Sequence, residues 1–117
     1  MAKKTKKHIR TLDEMFESVQ VGTGAMHHCG SDTYGYYVSE VNKDEKTIGV
    51  YRPQEHFTKC WEDGSLTPDP FDPEHPTEMR YVAWRGRWWK LDADGLRTRE
   101  TMDWRFGPCY SYQNPSF

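Results

Sequence analysis

The sequence predicts a mainly β domain, a small antiparallel barrel or rolled sheet of about SH3 size, with one short N-terminal helix. Three observations point there. Apolar and polar residues alternate over several short runs, and Gly-, Asn- and Asp-rich turn signals separate those runs. Helical periodicity shows only near the start. Aromatic residues make up 15% of the 117 residues, so a few large flat side chains can bury enough surface for a small core. The length suits one domain, expected over residues 11–117.

Residues 1–10 carry Lys3, Lys4, Lys6, Lys7 and Arg10 and almost nothing apolar, which predicts a flexible basic tail. Thr11 and Glu14 fit a capping box. Met15, Phe16 and Val19 supply an apolar face, so a helix is expected over 12–19, ended by Gly22 and Gly24. Ala25 to Cys29 reads as a short strand, and Gly30-Ser31-Asp32 as a turn. Thr33 to Val41 is rich in Tyr and Val, which suit a pleated surface. A polar turn from Asn42 to Glu45 joins it to a strand from Thr47 to Arg52. These two strands make the clearest hairpin, with Ile48 and Val50 on one face and Thr47, Gly49 and Tyr51 on the other.

Residues 53–78 hold Pro53, Pro68, Pro70, Pro73 and Pro76 amid Glu55, Glu62, Asp63, Asp69, Asp72, Glu74 and Glu78, against one Lys59. Proline at this density predicts a long acidic loop without strands, pinned to the body by Phe57, Trp61, Leu66 and Phe71. Strands resume from Arg80 to Trp84 and from Trp88 to Asp92, around a tight turn at Arg85-Gly86-Arg87. After a turn at Asp92–Gly95, Leu96 to Phe106 reads as one half-buried strand. Leu96, Thr98, Met102, Trp104 and Phe106 share its inner face, with Glu100 the exception, and Arg97, Arg99, Thr101, Asp103 and Arg105 share its outer face. Gly107-Pro108 breaks it, and the aromatic end from Cys109 onward is expected to dock on the body. Five or six strands are expected in all.

A net charge of −2 gives no global pull towards nucleic acid or membrane. The three cysteines, Cys29, Cys60 and Cys109, have no paired spacing, which argues against a disulfide framework and for a reducing cytoplasm. No apolar run approaches the ~18 residues of a membrane helix, and the basic start lacks the apolar stretch of a signal peptide.

Several segments resemble a recurring set of small uncharacterised proteins encoded by bacteriophages and prophages. They are Gly22-x-Gly24-Ala25, Ser31-Asp32-x-Tyr34-x-Tyr36-x-Val38-x-Glu40-Val41, Lys46-Thr47-Ile48, Arg85-x-Arg87-Trp88 and the closing Asn114-Pro115-Ser116-Phe117. The resemblance covers roughly residues 20–117 and implies an origin and a setting, the host cytoplasm, but no catalytic or binding residues. The acidic proline segment and His27-His28-Cys29 depart from that pattern.

Three constellations could carry chemistry. His27, His28, Cys29, His56 and Cys60 include zinc-ligating types, yet no Cys-x-x-Cys pair exists and the strand places His28 opposite His27 and Cys29. Cys29 beside His28 is a poor catalytic pair for the same reason, and Gly22-x-Gly24 precedes a strand, unlike a phosphate loop. No cofactor is expected. The third set is Trp84, Arg85, Arg87, Trp88, Trp89, Arg97, Arg99, Trp104 and Arg105. Arginine binds phosphate and stacks on flat rings, and exposed aromatic faces stack on nucleobases. The ordinary alternative is tryptophans in the core and arginines solvating an outer face. From this set, Arg85, Arg87, Trp88, Arg97, Arg99, Trp104 and Arg105 are the expected ligand-binding residues.

The function expected is that of a non-enzymatic phage accessory protein, homo-oligomeric, that binds a nucleotide-type small molecule or a host defence factor and so counters host immunity. The alternatives are a nucleic-acid-binding module using Arg97, Arg99, Arg105 and the tail, a phage structural or assembly protein, and a small hydrolase using His27 or His28. The acidic segment could cover the arginine face, or mimic nucleic-acid charge towards a basic host protein.

Overall fold

The computed structural model describes residues 10–57 and 65–112. A five-residue helix, α1 (Leu12–Phe16), is followed by ten strands: β1 (Gly24–Cys29), β2 (Asp32–Asn42), β3 (Thr47–Tyr51), β4 (Glu55–Phe57), β5 (Ser65–Pro68), β6 (Met79–Trp84), β7 (Arg87–Leu91), β8 (Arg97–Met102), β9 (Arg105–Gly107) and β10 (Ser111–Tyr112). The capping box closes as its sequence requires: the Glu14 amide donates to Thr11 Oγ1 at 3.2 Å, and the Thr11 amide donates to Glu14 Oε1 at 3.1 Å. The helix stops sooner than the expected 12–19, although Val19 is buried beyond it.

The strands form one antiparallel sheet in the order β4-β5-β10-β2-β3-β6-β7-β8, with β1 between β2 and β9. The path ends at β4 and β8, so the sheet is open and rolled rather than a closed barrel. Strand β2 organises it. Tyr37 pairs with Gly24 on one edge and Tyr51 on the other, while Thr33 pairs with His28 and Tyr112. Strands β3 and β10 therefore share one edge of β2 at successive stretches, and the sheet divides there into two limbs. A bulge between Val38 and Glu40 lies within the stretch that pairs with β3.

The core lies on the face where α1 packs. It gathers Met15, Phe16 and Val19 with Ala25, Val38, Ile48, Val50, Tyr81, Ala83, Trp88 and Trp104. Phe16 meets Trp88 edge-on, with ring centroids 5.3 Å apart. Alternation puts Ile48 and Val50 here, as expected, yet all five residues of β3 are buried. The reason is a second layer over the outer face of β3.

That layer comes from the acidic segment, which corrects the expectation of a loop without strands. Strands β4 and β5 pair through Glu55↔Pro68, His56↔Thr67 and Phe57↔Leu66. Pro68 ends β5, beyond the stretch that pairs with β10, where its missing N–H does no harm. Residues 69–78 then strap the sheet. His75 stacks on Tyr51 at 3.9 Å and 10°, Phe71 meets Tyr37 at 5.6 Å, and the Asp72 amide donates to Tyr51 Oη at 2.8 Å. Of the expected pins, Phe71 serves; Trp61 lies outside the described residues, as do Cys60 and the closing Asn114–Phe117.

The expected strand from Leu96 to Phe106 is two strands. The chain leaves β8 at Met102, drives Trp104 into the core, and restarts as β9 against β1. Alternation is blind to this, because Trp104 keeps the inward parity across the break. Glu100, the odd residue on the inner row, reaches Lys90 Nζ at 3.8 Å at the rim.

Candidate site: an arginine–tryptophan patch on the outer face

The site is built on the β6–β7 hairpin. Trp84 pairs with Arg87, leaving Arg85 and Gly86 as a two-residue turn. Both have positive φ, 50° and 74°, as a right-twisted hairpin demands. Arg85 carries a Cβ into the left-handed region, which costs about 1 kcal/mol or more. Its guanidinium lies 4.3 Å from the Trp84 ring centroid, a cation–π contact of a size that offsets part of this.

A two-residue turn fixes the faces. Trp84, Arg87 and Trp89 point outward with Val82, and Trp88 points into the core. The Trp89 indole N–H donates to Trp84 O at 3.0 Å, and the two rings meet at 5.7 Å and 67°. From β8, Arg97 lays its guanidinium 3.6 Å from the Trp84 ring centroid and 5.3 Å from that of Trp89. An irregularity between Trp89 and Leu91 shifts the β7–β8 register beneath it. Arg99 follows on the same outer row. Arg85, Arg87, Arg97 and Arg99 are exposed, and Trp84 keeps 38% of its surface in water.

None of these four arginines has an ion pair among the described residues. Arg52, Arg80 and Lys90 do, with Glu55, Glu40 and Glu100. Two acids near the patch are used elsewhere, while Asp94 and Asp103 are exposed. Asp92 Oδ1 accepts the amides of Asp94 and Leu96 within its own turn, and Glu100 faces Lys90. The described part of the acidic segment lies against Tyr37, Gly49 and Tyr51 and makes no ion pair with the patch.

Three of the expected site residues stand apart. Trp88 is 0% exposed and Trp104 is 2% exposed, so neither ring face can receive a ligand. Their indole nitrogens have no hydrogen-bond partner among the described residues. Each ring is met edge-on instead, Trp88 by Phe16 and Phe106, and Trp104 by His27, Tyr36 and Tyr81. Arg105 is exposed on β9, opposite Met26 of β1, on the other edge of β2 from the limb that carries the patch. Trp84 and Trp89 take the places foreseen for Trp88 and Trp104. The signal was available: once the turn is read as two residues, parity sends 84, 87 and 89 outward and 88 inward.

The metal and nucleophile candidates are dispersed. His27 lies among Tyr34, Tyr36 and Trp104, while His28 Nδ1 is 2.9 Å from Thr33 Oγ1. His56 Nε2 sits 3.3 Å from Asp69 Oδ1. Among the described residues no cluster of three or more His, Cys, Asp or Glu is placed to hold a metal ion. Cys29 is exposed; burial, then the Glu55 carboxylate, push the Cys109 thiol up to about 11 and keep it protonated. No helix among the described residues is long and apolar enough to cross a membrane.

No family model, no curated protein and no solved structure matches the chain.

Proposed function

We propose that the chain is a binding module whose outer-face patch takes a nucleotide-type ligand, one that joins a flat heteroaromatic base to phosphate. The observation that carries this is four exposed arginines, none ion-paired among the described residues, beside two outward indoles on which Arg85 and Arg97 lie, in a chain of net charge −2. Guanidinium forks suit phosphate oxygens, and guanidinium–indole stacks offer a flat apolar surface for a base. In the phage setting that the sequence resemblance suggests, such a module is an accessory protein of the host cytoplasm. It would withdraw a host nucleotide signal and so blunt host defence.

Isothermal titration with AMP, ATP and cyclic dinucleotides tests this. The wild type binds at least one of them. Trp84→Ala weakens that binding about five- to 150-fold, the range expected for one stacked base. Arg97→Ala weakens it as well, and both variants melt near the wild-type temperature because these side chains are outside the core. Absence of binding by the wild type, or equal binding by both variants, refutes the assignment.

A further inference from the structure

We infer that the base this patch takes is guanine, read along one edge by Arg87 and Asp103, a specificity that rests on the nucleotide reading above and deepens it.

The acids around the patch carry it. Asp92 Oδ1 is taken by the amides of Asp94 and Leu96, and Glu100 lies on the inner row, where it faces Lys90. Asp94 is exposed within the turn that follows β7. Asp103 stands elsewhere. It is the first residue beyond β8, exposed, and without an ion pair among the described residues. The next residue, Trp104, turns into the core, which leaves Asp103 to the outer side.

The β7–β8 register sets Trp88 opposite Met102. One further step brings Asp103 level with Arg87, and Arg87 itself pairs with Trp84. Trp84, Arg87 and Asp103 thus stand in one row on three neighbouring stretches of chain, about 4.8 Å apart. An outward indole, a guanidinium and a carboxylate fall side by side.

Guanine is the base whose edge has this order. Its O6 and N7 accept, and suit an arginine fork; its N1–H and N2–H donate, and suit a carboxylate. The accepting pair and the donating pair adjoin, at a separation close to one strand spacing. Adenine reverses both: N6–H points a donor at the guanidinium, and N1 turns a lone pair to the carboxylate. Each contact that favours guanine therefore also repels adenine.

Charge limits the phosphates. Arg85, Arg87, Arg97 and Arg99 stand with Asp92, Asp94 and Asp103, which leaves an excess of one positive charge, while Lys90 and Glu100 offset each other. A nucleotide with one phosphate per base suits that excess better than a polyphosphate or a nucleic-acid strand.

Isothermal titration of the full chain with GMP, AMP, IMP, GTP and xanthosine monophosphate tests this. The wild type should bind GMP about five- to 150-fold tighter than AMP, the discrimination of a bidentate contact. IMP, which lacks the 2-amino group, should fall between them, and GTP should gain nothing over GMP. Asp103→Asn should weaken GMP and leave AMP unchanged. It should also strengthen xanthosine monophosphate, because asparagine supplies a donor for the 2-carbonyl; a misfolded variant shows no such gain. Equal binding of GMP and AMP, a preference for AMP, or an unchanged GMP-to-AMP ratio in Asp103→Asn overturns the guanine assignment. GTP binding well above GMP overturns the single phosphate. If a nucleotide still binds in those cases, the nucleotide reading survives; if none binds the wild type, both fall.

Discussion

Parity decides most at the scale of single residues. In the run Trp84–Trp89, one position separates a core residue from a surface one, and the two-residue turn at Arg85–Gly86 sets which is which. The alternation of Arg97 and Arg99 with Thr98 was legible in the sequence, and so was the inward side of Ile48 and Val50. The inward role of His27 was not. Its strand parity was plain, but nothing local announced Tyr34, Tyr36 and Trp104 around it at 5.3–5.8 Å. Burial first, then the Arg52 guanidinium, hold the His27 imidazole below its ordinary value of 6.5, against a backbone hydrogen bond with His28 that raises it. A histidine depressed in the folded state takes up its proton more readily when unfolded. Stability from keeping it neutral is therefore present above about pH 6.5 and is lost as pH falls below that value. The melting temperature should drop between about pH 7 and pH 5, and His27→Phe should flatten part of that drop. Thermal melts of both proteins across that range decide it; parallel curves would contradict the assignment.

Packed elements show where local pattern runs out. The short helix was visible because a capping box is local, and its early end was not, because Val19 is buried by tertiary contact alone. The acidic proline segment gave the strongest loop signal in the chain, yet it contains β4 and β5 and a strap that seals β3. Proline content could not foretell this, since Tyr51 and Tyr37 supply an apolar landing site for Phe71 and His75 from elsewhere in sequence. The strap approaches most closely at Gly49. A Cβ built there would lie 2.5 Å from Thr77 Cγ2 and 2.8 Å from Thr77 Oγ1. Thr77 is held by its 2.7 Å bond to Ser39 Oγ, and its branched side chain has little room to turn. Gly49→Ala should cost about 1–3 kcal/mol of stability by overpacking and should speed proteolysis within 69–78. Urea unfolding and limited proteolysis measure the two effects. An alanine variant as stable and as resistant as the wild type would show that the strap contributes nothing.

Over the whole molecule, the sequence supports the class and leaves the topology open. A mainly β, antiparallel sheet with one short helix follows from alternation and turns. The limbs that divide at β2, and the return of β9 to β1, depend on pairings far apart in the chain that no local pattern records. The same long-range pairing makes the site. Strand β8 brings Arg97 over Trp84, and Arg10 is tied to Gly86 from the far end of the sequence. The strap draws acidic residues onto one part of the outer face and leaves the arginines on another. Central to this account is that the outward indoles receive a base while the buried ones do not. Tryptophan indole N–H resonances report this directly in titrations of isotope-labelled protein with AMP, ATP and cyclic dinucleotides. The account predicts large shifts for Trp84 and Trp89 and none for Trp88 and Trp104; shifts confined to the buried pair, or no shift at Trp84, would contradict it.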